Sequence, residues 1–190
     1  MHFEPLPKRW LEWVLMVCAG MTCAVSGAQA GLLPSAAFIQ EGGAGRTRST
    51  TAGLLWEASQ RWSLGSGEVM GYWEVSLARW TYDSGFDAPA TWSAQFGVTP
   101  VFRYRPRAAS THWFADLGIG LTLTTRLYET DRRRFSTRFN FGDHAGLGWT
   151  FGEGDRQEIV LRVEHFSNGG LREPNPGLNF VQLRYACRFQ

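Results

Sequence analysis

His165 and Ser167 stand two residues apart in the stretch Glu164-His165-Phe166-Ser167-Asn168-Gly169-Gly170, at the end of an apolar run. Side chains two apart on a β-strand share a face, so a strand here would present an imidazole beside a hydroxyl. A serine hydroxyl is a weak nucleophile until an adjacent base takes its proton, and histidine is the commonest base. The pair therefore suits acyl transfer through a serine ester, if a third group orients the imidazole. The plainer reading is a polar strand end that closes on a Gly-rich loop.

Which reading holds depends on the elements that carry the pair. The chain has 22 Gly, 9 Trp and 13 Phe among 190 residues, a composition that favours many strands, tight turns and aromatic anchors over a helical bundle. Segments of period two recur at 35–43, 49–61, 68–81, 91–104, 111–125, 135–151, 157–167 and 178–189, and predict eight strands. On the fifth, Trp113, Ala115, Leu117, Ile119, Leu121 and Leu123 share one face, while the other carries Phe114, Asp116, Gly118, Gly120, Thr122 and Thr124. The last strand alternates in the same way, with Val181, Leu183, Tyr185, Cys187 and Phe189 against Gln182, Arg184, Ala186 and Arg188. A soluble sandwich would bury the oily faces between two sheets; a membrane barrel would turn them to lipid and fill its lumen with the polar ones.

Three features favour the barrel. Trp56, Trp62, Trp73, Trp80, Trp92, Trp113 and Trp149 fall near strand ends, as interfacial girdles require. Short turns ("LGSGE", "RYRPRAAS", "FGEGDR") alternate with mostly longer loops ("EGGAGRTR", "YDSGFDAPA", "YETDRRR", "NGGLREPNPG"), and the chain has an aromatic residue, Phe189, next to its end. Lys8 and Arg9, an apolar segment and Ala28-Gln29-Ala30 predict a cleaved signal peptide over residues 1–30. The expected fold is all-β: an eight-stranded antiparallel transmembrane barrel over 31–190, in the bacterial outer membrane. Removal of the signal leaves Cys187 alone, so no internal disulfide is expected.

Parity now gives the pair a direction. Ile159, Leu161, Val163, His165 and Ser167 form one row of the seventh strand, the oily one. With both termini periplasmic that strand runs outward, which puts His165 and Ser167 on the lipid-facing wall near the outer rim. A reactive pair that faces lipid implies a lipid substrate.

The longer string His165-Phe-Ser-Asn-Gly-Gly-Leu-Arg-Glu-Pro-Asn-Pro-Gly-Leu-Asn179 resembles the motif region of the lipid A 3-O-deacylase (PagL-type) family, eight-stranded outer-membrane barrels that remove an ester-linked acyl chain from lipopolysaccharide. The resemblance implies that Ser167 is the nucleophile and His165 its base, with Asn168, Gly170 and Asn175 around the oxyanion. The family's acidic residue falls on Asn179, which can fix the histidine tautomer but brings no charge to the imidazolium. Antiparallel pairing about 168–177 puts Asn179 opposite His165. If Phe151 pairs with Gln157, Asp143 also lies opposite His165 and is an alternative acid; otherwise the polar Gly142-Asp143-His144 stretch marks a bulge.

Arg126, Arg132, Arg133 and Arg134 surround an outer loop and can meet lipid phosphates, or simply be solvated. His112 and His144 have no companions at a metal-ligand spacing, and no cofactor is expected. The balance of 19 Lys+Arg against 17 Asp+Glu gives no ground for a nucleic-acid partner. The function expected is that of a serine esterase acting on lipid A of lipopolysaccharide among outer-membrane lipids, with a homodimer left open. The rivals are a catalytically impaired lipid-binding or structural barrel, and a plain barrel for adhesion or envelope integrity.

Overall fold

The computed structural model describes residue 31 and residues 33–84, 90–108 and 111–189; the expected signal segment 1–30 lies outside the described residues. Eight strands form: β1 (Ala36–Ala44), β2 (Thr47–Leu64), β3 (Gly67–Tyr82), β4 (Thr91–Pro106), β5 (Trp113–Thr124), β6 (Phe139–Phe151), β7 (Gln157–Ser167) and β8 (Leu178–Arg188). Each pairs antiparallel with the next, and β1 pairs with β8, so the sheet closes into a barrel without an edge. The shortest strand has nine residues, enough to cross a hydrocarbon layer when tilted.

Alternation sorts the side chains as the sequence predicts. On β5 Leu117, Leu121 and Leu123 are exposed while Phe114 and Asp116 are buried. On β8 Val181, Leu183 and Tyr185 are exposed while Phe180, Gln182 and Arg184 are buried. The exposed rows meet lipid and the buried rows fill the lumen, so this is a packed interior rather than a channel.

Two aromatic clusters cap that interior. Trp80, Tyr82, Tyr128, Phe135, Phe166, Leu178 and Phe180 pack together at the outer end, and Phe38, Tyr72, Val101 and Ala186 toward the other. Between and below them lie ion pairs. Glu74 bonds Arg162 at 3.0 and 3.2 Å and Arg184 at 2.7 and 2.8 Å; Arg103 bonds Asp116 and Glu158 at 2.7–2.9 Å. Arg184 lies 3.6 Å over the Phe38 ring and Arg103 lies 3.7 Å over Phe114, so each guanidinium is stacked as well as paired.

Three local expectations change. Trp80 is no girdle residue: it shares the inward parity of Tyr72, Glu74 and Ala78 and is 1% exposed. The sixth strand starts at Phe139 rather than 135, because Phe135 folds back from the loop to pack beside Tyr128, leaving only an isolated bridge between Glu129 and Arg134. The first outer connection is only Gly45-Arg46, since β1 and β2 stay paired up to Ala44 and Thr47.

Candidate active site

The residue between the pair fixes its direction. Phe166 points into the lumen against Trp80 and Phe180, with ring centroids 4.9 and 5.6 Å away, so its neighbours in sequence must point outward. His165 and Ser167 thus stand at the top of the exposed row Ile159, Leu161 and Val163. His165 is partly exposed; Ser167 is nearly buried, with Phe141 of β6 directly across from it.

Register brings two candidate partners to the imidazole. Asn179 of β8 lies opposite His165, and its Oδ1 is 2.5 Å from His165 Nδ1. An amide oxygen only accepts, so Nδ1 carries the proton and Nε2 keeps its lone pair. Asp143 of β6 lies opposite His165 on the other side, because Phe151 pairs with Gln157 and no register shift interrupts β6. The bulge expected as the alternative at Gly142-Asp143-His144 is therefore absent, and Asp143 points outward with Oδ1 buried and unpartnered among the described residues. No hydrogen bond joins His165 to the Ser167 hydroxyl among the described residues. Such contacts are often loose before substrate binds.

The loop 168–177 covers this strand end and is tied together by its own amides. Asn168 Oδ1 accepts from the Gly170 N–H at 2.9 Å, and Asn175 Oδ1 accepts from the Asn168 N–H at 3.0 Å. Asn168 Nδ2 donates to Arg172 O at 2.6 Å and to Ser136 Oγ at 2.9 Å. Asn168, Gly170 and Asn175 are thus brought together beside Ser167 as expected. In this structure the Asn168 and Gly170 N–H groups have side-chain acceptors within the loop.

The loop arginines separate. Arg126 lies against the Trp92 ring, which Arg79 also faces, whereas Arg132 and Arg133 line a cleft together with Thr47, Tyr128, Leu178 and Asn179. Arg134 is near Glu129, at 3.8 Å. The structure thus places Arg132 and Arg133 together in one cleft, with Arg126 against Trp92 and Arg134 beside Glu129. His144 points into the lumen, and His112 contacts Asp155 at 3.0 Å at the opposite end of the barrel.

One residue at the site escaped the sequence reading. Gly177 has φ +62° and lies against the imidazole so closely that a Cβ there would come 2.7 Å from His165 Cε1. A glycine after proline was visible as a turn signal, but its contact was not.

Known proteins fit this geometry. The family model described as Lipid A 3-O-deacylase (PagL) matches residues 47–188, which takes in seven of the eight strands and the whole His165–Asn179 segment. The chain belongs to the lipid A 3-O-deacylase family. Among its members, the "Lipid A deacylase PagL" of Pseudomonas aeruginosa is 32% identical over 134 residues, 70% of this chain and 73% of that protein. The protein of the same name from Bordetella bronchiseptica is 36% identical over 116 residues, so that the match spans 61% of each chain. The crystal structure of the outer membrane enzyme PagL superposes with a TM-score of 0.68 at 25% identity, covering 82% of this chain and 100% of that one. Like that structure, this member of the deacylase family is an outer-membrane β-barrel.

Proposed function

We propose that this barrel is a serine esterase that hydrolyses the acyl chain ester-linked at the 3-O position of lipid A, acting from within the outer leaflet. One observation carries the reading: in a chain of this family, a histidine with Nδ1 held by Asn179 stands beside Ser167 on the lipid-facing wall. Relatives named lipid A deacylase supply the substrate class.

The chemistry follows from the tautomer. The free Nε2 of His165 takes the Ser167 proton while Oγ attacks the ester carbonyl carbon. As the tetrahedral intermediate collapses, the sugar oxygen leaves with the proton from Nε2, and the acyl chain stays on Ser167. Water then adds to that ester, His165 takes its proton, and the fatty acid departs as the proton returns to Oγ. During both additions the carbonyl oxygen becomes an anion. The Asn168 and Gly170 N–H groups, next to Ser167 in the chain, would exchange their side-chain acceptors for it, at a typical value of about 100- to 1000-fold in rate per donor. Arg132, in the cleft beside Asn179, is the arginine suited to a lipid A phosphate. A cleaved signal over residues 1–30 belongs to the same reading, as the route to the outer membrane.

Mass spectrometry of lipid A from cells that express the wild type, Ser167→Ala or His165→Ala tests the proposal. One acyl chain should be lost with the wild type alone; unchanged lipid A in all three samples rejects deacylation. The neutral Asn179 favours one second reading, a barrel that binds lipid A but turns it over poorly. Lipid A retained by purified wild type without release of fatty acid is its signature.

A further inference from the structure

The loop between β5 and β6 touches the 168–177 loop at both ends. At one end Ser136 Oγ donates to Arg172 O at 2.7 Å and accepts from Asn168 Nδ2. At the other, Arg133 donates through a terminal guanidinium nitrogen to Gly177 O at 2.5 Å. Gly177 is the residue whose Cα side lies on the Cε1–Nε2 edge of His165, so whatever fixes its carbonyl also fixes one wall of the imidazole slot. Asn179 holds the ring from the Nδ1 side.

Arg133 is itself held firmly enough to act at a distance. Its backbone N–H donates to Thr130 Oγ1 at 3.1 Å and its carbonyl accepts from the Thr130 N–H at 2.8 Å, which makes a tight turn. Below that turn Phe135 N–H donates to Tyr128 O at 2.9 Å, and both rings are buried in the aromatic cluster with Trp80. The turn thus stands on the packed outer end of the barrel. With the backbone fixed, only the side chain's own rotamers are left to order when the guanidinium meets the loop.

We infer that Arg133 is a positioning residue: its bond to the Gly177 carbonyl seats Gly177 against His165 and keeps Nε2 turned toward Ser167. This assigns the guanidinium to the enzyme's own backbone rather than to a lipid phosphate, and it rests on the serine-esterase reading. The same clamp explains why Gly is required at 177. Any Cβ would meet the ring that the carbonyl bond presses toward it, besides suffering the positive φ.

Two substrates separate positioning from phosphate binding. The full barrel, purified in detergent and shown to be folded by its heat-modifiable electrophoretic mobility, is assayed on lipid A and on an uncharged nitrophenyl ester of a medium-chain fatty acid. Arg133→Gln should lower kcat on both esters alike, on the order of 100-fold, with KM nearly unchanged, and Arg133→Lys should recover part of the loss because an ammonium can still donate to the carbonyl. Gly177→Ala should reproduce the Arg133→Gln loss on both esters, and it replaces that variant if Arg133→Gln does not fold. A loss confined to lipid A with raised KM, a wild-type kcat on both esters, or no recovery with Lys overturns the inference. Ser167→Ala serves as the separate control: full turnover in that variant would remove the esterase reading itself, whatever Arg133 does.

Discussion

Glu74 in the lumen meets two arginines through four hydrogen bonds of 2.7 to 3.2 Å, whereas Asp143 on the outer wall keeps a buried oxygen without any partner among the described residues. Both are carboxylates on central stretches of strands. The difference lies in what surrounds them. Lumen charges are buried on inward rows where strands across the barrel supply opposite charges, so Glu74 meets Arg162 and Arg184, and Arg103 and Arg184 are also stacked on rings. The polar groups outside are few, stand among lipid-facing residues and are held from above by two loops. A carboxylate locked between two arginines resists change; a histidine with one partner and a free nitrogen can accept a proton. The barrel thus separates the ion pairs that fill it from the residues proposed to react.

The contrast yields graded expectations. Ser167→Ala should lower turnover by about 10⁴-fold or more without loosening the barrel, as measured by fatty-acid release together with urea unfolding. Glu74→Ala should do the reverse: stability should fall by about 3–5 kcal/mol, because Arg162 and Arg184 would be left as buried unpaired charges, while the folded fraction keeps its rate per molecule. Asn179→Ala should reduce kcat by on the order of 100-fold as the imidazole loses its tautomer and orientation. Asn179→Glu should raise kcat above the wild type, by about tenfold, since a full charge would then face the imidazolium. The smallest change is expected of Asp143→Asn, a loss of a few-fold in kcat. If Asp143→Ala abolishes turnover while Asn179→Ala retains it, the partner of His165 has been assigned to the wrong strand.

Strand parity made most of this legible. The alternation along β5, β7 and β8 gave both faces and placed Asn179 opposite His165, while Asp143 reached that position only on the condition that Phe151 pairs with Gln157, which the structure meets. Irregular and long-range features were not legible. Nothing in the composition of β2 marks the register shift between Glu57 and Arg61, because two added residues leave the residue types unchanged. Trp80 looked like an interfacial tryptophan because strand-end position and inward parity give opposite answers, and parity won. Phe135 continued the period-two pattern into what is a loop, since a residue that folds back to cap a lumen is as apolar as one in a strand. The Arg133 contact with Gly177 joins residues 44 apart through a backbone oxygen, which no side-chain pattern reports.

The packed outer end of the lumen has a consequence for the cell. Trp80, Tyr128, Phe135, Phe166 and Phe180 fill one end of the lumen, and the pairs of Glu74 with Arg162 and Arg184 fill it further along. A barrel filled in this way adds a wall rather than a pore to the membrane that holds it. In the proposed reaction, the water that frees Ser167 reaches it along the outer wall of the barrel rather than through the lumen.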